Sequence, residues 1–133
     1  GLFFKSVHGT LNHLLVTEQL LWLRRFVHGE SPAIALDHEA ETDRGRLREL
    51  MLEGAAAWLP ALDDLPEERL AGNLRYTRTT GETMSLPFAA TLAHVFNHGT
   101  HHRGQITALI TALGHTCPEL DLVWMLQAES QAR

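Results

Sequence analysis

The sequence predicts an all-α fold in which three long helices and one short helix pack as a bundle, with a short hairpin or loop at residues 73–87. Apolar residues recur at helical spacing through most of the chain, and Pro or Gly residues mark most of the predicted helix ends. No internal repeat, low-complexity tract or linker-like run interrupts this pattern. The 133 residues therefore predict a single domain that covers 1–133.

The first predicted helix covers residues 5–28 and ends before the segment HGESP. It contains no Pro, and its apolar residues are Val7, Leu11, Leu14, Leu15, Leu21, Trp22 and Phe26. A helix that is apolar around most of its circumference is expected to lie inside a bundle. The chain begins with GLFFKSVHG, without Met or a polar lead-in, so we expect that an N-terminal segment is absent from this sequence.

Further helices and one turn follow the first helix. Residues 39–60 alternate charged and apolar side chains at helical spacing, and Pro60 with the acidic segment DDLPEER ends that helix. In 73–87, β-branched residues flank a Thr-Gly turn, which predicts a hairpin or an ordered loop. The longest helix begins at Pro87 and ends at Gly114, residue types that are typical of these two positions. The segment PELDLVWMLQAES forms a short final helix that begins with Pro.

The composition argues against several functional classes. A net charge of −5 lacks the basic surface that nucleic acids or acidic membranes attract, so we expect neither partner. Cys117 is the only cysteine and forms no internal disulfide, which favours a reducing compartment. Because no signal peptide or long apolar run is present, we expect a cytoplasmic protein.

Four histidines lie within the segment HVFNHGTHHRGQ, residues 94–105, on the longest predicted helix. With a turn of about 100° per residue, His98 and His102 lie closest to the apolar face, whereas His94 and His101 lie toward its solvent side. An i, i+4 pair of imidazoles is a spacing that metal-binding helices use. Two histidines do not complete a metal site, and ordinary surface hydrogen bonding explains the same spacing, so a third ligand is required.

The first helix offers two histidines as that third ligand. His8 and His13 are about 140° apart around the helix, so they cannot both face one ion. His13 lies on the side of Leu14, Thr17, Leu20 and Leu21, whereas His8 lies nearer a polar edge. His13 is therefore the better inward-facing candidate.

Arg103 and Gly99 accompany the histidine pair on the longest helix. Arg103 lies at the edge of the apolar face, where an unpaired charge is costly. Its guanidinium either holds a carboxylate or an anionic substrate, or it reaches solvent or pairs with an interhelical glutamate such as Glu18. Gly99 faces the packed side and is expected to allow a neighbouring helix to approach closely.

Two separated motifs resemble the DinB-type family of metal-dependent proteins. The family pattern LNH…W matches Leu11-Asn12-His13 and Trp22, and its pattern NHxxxHRGQ matches residues 97–98 and 102–105. The closing segment PELDLVWML is also similar to that family. The resemblance implies a four-helix bundle of up-down-down-up order, of which the first helix is missing from this chain. It also implies that His13, His98 and His102 are the metal ligands.

The resemblance further implies a homodimer. We expect one divalent ion per chain, Zn²⁺, Ni²⁺ or Fe²⁺, because imidazole ligands suit all three. The resemblance also implies a transferase that uses a low-molecular-weight thiol, or a hydrolase, acting on a small molecule. Three imidazoles leave open positions on the metal, where a water or a thiol can be activated. Arg103, Gln105 and Trp22 are the candidates for supporting or substrate-binding residues. The alternatives are a non-catalytic metal- or ligand-binding bundle related to stress, or a metal-free helical oligomer with a histidine seam.

Overall fold

The first helix is continuous but not uniform. A computed structural model describes residues 4–63 and 65–132. The helix comprises α1 (Val7–Leu14), a π-helical segment π1 (Leu15–Leu23) and α2 (Arg24–His28). The hydroxyl of Ser6 caps α1 by accepting the Gly9 N–H at 2.9 Å. The helix predicted at 5–28 is present, but its apolar pattern did not predict the wider π-helical turns.

The second long helix, α3, spans Arg44–Asp63. It begins later than the predicted residues 39–60, because Asp43 Oδ1 accepts the Arg46 N–H at 2.8 Å and caps the helix at that point. Pro60 lies inside the helix, so the break predicted there comes at the acidic segment that follows. A single helical turn, α4 (Glu67–Ala71), then leads to the hairpin.

Residues 73–87 form an antiparallel hairpin, which decides between the hairpin and the loop that the sequence left open. Strand β1 spans Asn73–Thr77 and strand β2 spans Thr83–Pro87. Leu74 lies opposite Leu86, and Tyr76 lies opposite Met84. Alternation along β1 buries Leu74 and Tyr76 on one face. This face packs against the helices, in one cluster with Phe26, Trp58 and Phe88.

The longest helix, α5, spans Phe88–Ala112, and the last helix, α6, spans Leu122–Gln131. Gly114 follows α5 with φ of 83°, a left-handed conformation that favours glycine after a helix end. The last helix begins four residues after Pro118 rather than at it. No residue of α6 is buried by the described part of the chain.

The apolar core joins the first helix, α3, the hairpin and α5. Its buried members are Phe26, Trp58, Leu74, Tyr76, Phe88 and Val95. The fold is mostly helical with one two-stranded sheet, as predicted. Within 4–63 and 65–132, no helix combines the length and the apolarity that crossing a membrane requires. Because α1 packs against α5 beyond this core, polar residues of the two helices meet there.

Candidate metal centre

His13 reaches the contact between α1 and α5 as a buried side chain, 4% exposed. Its Nδ1 lies 2.7 Å from the carbonyl oxygen of Leu36, in the segment that links the first helix to α3. A carbonyl accepts and never donates, so His13 Nδ1 carries the hydrogen. The Nε2 atom of His13 therefore presents a lone pair toward α5.

His98 and His102 face His13 from successive turns of α5. His102 is buried, and its Nδ1 lies 2.9 Å from Gln105 Oε1. Gln105 also directs its Nε2 at His101 Nε2, 3.1 Å away. Gln105 thus donates to His101 and accepts from His102, which leaves His102 Nε2 as a second inward lone pair.

The three Nε2 atoms converge. His98 Nε2 lies 3.4 Å from His13 Nε2 and 3.2 Å from His102 Nε2, and one ligand atom from each residue falls within 4.8 Å of the others. Nitrogens about 2.0–2.1 Å from a tetrahedral ion are about 3.3–3.4 Å apart, and the two distances from His98 Nε2 are close to this spacing.

The hydrogen-bonding balance of the trio points to a cation as well. His98 Nε2 can carry one hydrogen, yet lone pairs of both His13 and His102 are directed at it. A divalent ion satisfies all three inward nitrogens at once, whereas any arrangement of hydrogens leaves one of them unpaired.

Burial keeps the three imidazoles neutral. It is the largest cause that lowers the pKa of His98 to about 4, and the neighbouring His102 and His13 lower it further. Burial likewise lowers the pKa of His13 and of His102. Neutral imidazoles at neutral pH are the form that binds a metal, so protons compete weakly for these nitrogens.

One side of the trio is covered, and a cavity adjoins the trio. The ring of Phe4 stacks on His13 with centroids 3.9 Å apart and lies 5.7 Å from the ring of His102. Phe4 does not line the cavity of about 380 Å³ that His13 and His98 share with residues of the hairpin. A ligand can therefore approach the trio from the cavity.

The three candidate supporting residues lie in different places. Gln105 orients His102, as described above, and Trp22 lines the cavity with its ring 5.7 Å from that of His94. Arg103 lies instead beside Glu18, with Nη1 3.8 Å from Glu18 Oε1, and does not line the cavity. Of the two alternatives for Arg103, the structure shows the interhelical pair with Glu18.

The two remaining histidines of the segment differ in their surroundings. His94 is exposed and forms part of the cavity wall, with its ring 5.8 Å from that of His98. His101 reaches the trio through Gln105. His8 is directed away from the trio, toward the Glu41 carbonyl at 2.9 Å and the Glu39 carboxylate at 3.2 Å.

Arg25 is a cavity residue that the sequence reasoning missed. Its side chain is 9% exposed, and its guanidinium lies between the rings of Trp22 and Tyr76, 4.5 and 4.4 Å from their centroids. Burial lowers the pKa of the Arg25 guanidinium, and the charge of Arg78 acts in the same direction. On a regular α-helix Arg25 would lie about 120° around from His13. The π-helical segment between them turns less per residue, which brings Arg25 to the cavity.

Comparison with known proteins agrees with these observations. A family model described as the DinB family matches residues 1–133. Protein DinB of Bacillus subtilis (strain 168) is 27% identical over 124 residues, a match that covers 89% of this chain and 70% of the relative. No solved structure was found to match the chain. With a family match that runs from the first residue to the last, the chain belongs to the DinB family.

Proposed function

We propose that the chain is a metal-dependent enzyme that holds one divalent ion, Zn²⁺, Ni²⁺ or Fe²⁺, through Nε2 of His13, His98 and His102. The observation that carries the proposal is the convergence of three Nε2 atoms beside an open cavity. A divalent ion with three protein ligands keeps open positions and lowers the pKa of a water or thiol bound there. We propose thiol transfer or hydrolysis on a small molecule as the reaction class.

The protein side chains have separate parts in this proposal. Leu36 and Gln105 hold the rings of His13 and His102 in orientation through the outer nitrogens. Phe4 excludes water from the covered side of the trio. His94, on the cavity wall, is placed to accept or donate a proton beside a reacting group.

Metal titration of tag-free protein tests the binding half of the proposal. We expect one equivalent of Zn²⁺ or Co²⁺ per chain by calorimetry, and a loss of affinity of at least about 100-fold in His98→Ala, because two ligands rarely make a site. His94→Ala is the matched control, since it removes an imidazole from the same helix without touching the trio. Absence of any stoichiometric ion in the parent protein would favour the metal-free histidine seam instead.

A screen of low-molecular-weight thiols against electrophiles, and of small esters and amides, tests the catalytic half. We expect any turnover to disappear in His13→Ala and His102→Ala and to persist in His115→Ala, which alters an exposed residue beyond α5. Activity that survives both ligand substitutions would exclude metal-dependent chemistry at this site. Stoichiometric metal without turnover of any substrate would favour the non-catalytic binding bundle.

We also propose that the protein acts as a homodimer. The observation in favour is the apolar surface of α6, whose residues Leu122, Val123, Trp124, Met125 and Leu126 are each more than half exposed. A contiguous apolar surface of this kind on a water-soluble helix is typical of a contact site.

A further inference from the structure

The cavity beside the histidine trio has an unusual distribution of charge. Its lining contains His13 and His98 and also the two guanidinium groups of Arg25 and Arg78. No carboxylate of the described residues lines it. A cavity with two guanidinium groups and no acid attracts anions.

Arg25 is the more informative of the two cations because it is buried. Its Nε donates to Ser31 Oγ at 2.8 Å, and within the described ranges no carboxylate pairs with it and no hydrogen bond reaches its terminal nitrogens. Burying an unpaired charge costs free energy that contact with two aromatic rings offsets only in part. Arg78, in contrast, is half-exposed and already paired with Glu82 at 3.1 Å.

The position of Arg25 is fixed by its surroundings. The rings of Trp22 and Tyr76 clamp the guanidinium from the first helix and from the hairpin, and Ser31 holds its Nε. The two terminal nitrogens of a guanidinium fixed in this way form a fork that matches the two oxygens of a carboxylate or phosphate. A fork that its neighbours already hold in place loses little entropy when it binds such a group.

We propose that Arg25 recognises an anionic oxygen group, a carboxylate or a phosphate, on the substrate whose reacting end faces the histidine trio. This inference rests on the proposed function, because it names the substrate class of the same cavity. A series of ring contacts connects Arg25 to the trio. The Arg25 guanidinium lies 4.5 Å from the ring of Trp22, and the ring of His94 lies 5.7 Å from that of Trp22 and 5.8 Å from that of His98. The cavity of about 380 Å³ that both Arg25 and the trio line has room for a substrate that carries an anionic group and a separate reacting group.

Bifunctional probes test this assignment. In Co²⁺-loaded protein, ω-mercaptoalkanoates of increasing chain length are compared with the matching ω-mercaptoalkanamides, and binding is followed by visible absorption. At the best length we expect the carboxylate to bind about tenfold more tightly than the amide, the size of effect given by a charge-assisted hydrogen bond. Inorganic phosphate, titrated into metal-free protein by calorimetry, tests whether the subsite also accepts phosphate.

The variant Arg25→Met keeps an unbranched side chain between the two rings and removes the charge. We expect its carboxylate-to-amide ratio to fall below about twofold, whereas Arg75→Met, which removes an exposed charge from the same hairpin, keeps the parent ratio. If circular dichroism shows that Arg25→Met is unfolded, Arg25→Lys replaces it, because lysine keeps the charge but loses the planar fork. A parent-like ratio in whichever Arg25 variant folds overturns the assignment, as does an absence of carboxylate preference at every length in the parent protein.

Failure of the metal proposal gives a different pattern from failure of this inference. If Co²⁺ does not bind, the proposed function fails, and simple alkanoates against alkanamides, titrated into metal-free protein, decide whether Arg25 binds anions. If Co²⁺ binds and both probe series bind equally, the metal proposal stands and the anion subsite is wrong.

Discussion

The carboxylate of Glu18 lies in an interior space that Gly99 leaves open between the first helix and α5. Its Oε1 is buried without a hydrogen-bond partner in the described part of the chain, and the Arg103 guanidinium stays 3.8 Å away, beyond hydrogen-bond distance. Burial raises the pKa of Glu18, and the charge of Arg103 offsets that increase only in part. The ionised side chain is therefore less favourable in the folded than in the unfolded protein.

Glu18→Gln tests this balance through the pH dependence of stability. The pKa of Glu18 is higher in the folded than in the unfolded protein. The protonated side chain therefore contributes its full stability below the unfolded-state pKa, and this contribution is lost as pH rises through the folded-state pKa. We expect Glu18→Gln to be the more stable protein at pH about 7.5, with the difference shrinking as pH falls toward about 4.5. Urea unfolding over this range measures it. The exposed Glu82→Gln is expected to change stability by less than about 1 kcal/mol, and a less stable Glu18→Gln at neutral pH would contradict the prediction.

Prediction of individual site residues from sequence depended on local geometry. His13, His98 and His102 could be selected because their spacings fall within regular α-helix, in α1 and in α5. The partners of the outer ring nitrogens differ in how far the sequence predicts them. Gln105 lies one helical turn from His102 and can be identified by spacing, whereas Leu36 lies in a loop without a periodic pattern.

At the scale of elements, Gly99 leaves room on α5 for the Glu18 carboxylate of the first helix. A Cβ at this position would meet Glu18 Oε1 and the Arg103 guanidinium. Gly104 lies on the same helix with no atom within 4 Å of the corresponding Cβ position. The two glycines therefore provide a matched pair in one helix.

We expect Gly99→Ala to be less stable than Gly104→Ala, by about 1 kcal/mol, because the new methyl group must displace the ends of the Glu18 and Arg103 side chains. Gly104→Ala is expected to raise stability by up to about 1 kcal/mol, since alanine is the better helix former and nothing obstructs it. Chemical unfolding of both variants measures the difference. Equal stabilisation by both substitutions would show that the Glu18 side chain moves away freely, and the double variant Glu18→Ala, Gly99→Ala should recover most of the loss.

The π-helical segment explains the main error of element-level prediction. Helical wheels at 100° per residue hold for α1 and α5 but accumulate an angular error through Leu15–Leu23. For this reason the helical wheel gave the facing directions of the histidines on α1 and α5, whereas it did not identify Arg25, which lies beyond the π-helical segment. The hairpin followed from β-branched residues around a turn, but the choice between hairpin and loop depended on Leu74 and Tyr76 finding a core to cover.

At the scale of the whole molecule, α6 and the exposed side of α5 form a groove of about 580 Å³. Its apolar lining residues are Phe96, Leu120, Leu122, Trp124 and Met125, and its polar ones are Thr100, Arg103, Glu119 and Asp121. A second copy of the chain can cover the same groove in a two-fold arrangement, because each copy offers both the groove and the helix.

The mostly helical class was predictable from periodicity alone, whereas the faces that remain exposed depend on tertiary packing.

Sedimentation velocity tests the proposed homodimer. We expect the parent protein to sediment as a dimer at micromolar concentration and Trp124→Glu to sediment as a monomer, because a charge in an apolar contact is strongly unfavourable. Gln127→Glu, which adds the same charge to a polar position of α6, is expected to leave the dimer intact. A parent protein that remains monomeric at high concentration would exclude self-association through this groove.

The histidine trio joins parts of the chain that are far apart in sequence, since His13 and His98 are separated by 85 residues. An ion shared by these residues closes a loop that contains α3, α4 and the hairpin, and closing a long loop restricts the unfolded chain strongly. Such an ion binds late in folding, after α1 has docked on α5, because the separated helices present at most two of its ligands. We expect loss of the proposed ion to let α1 part from α5 more readily, because a ligand that binds only the folded chain stabilises the contact it bridges.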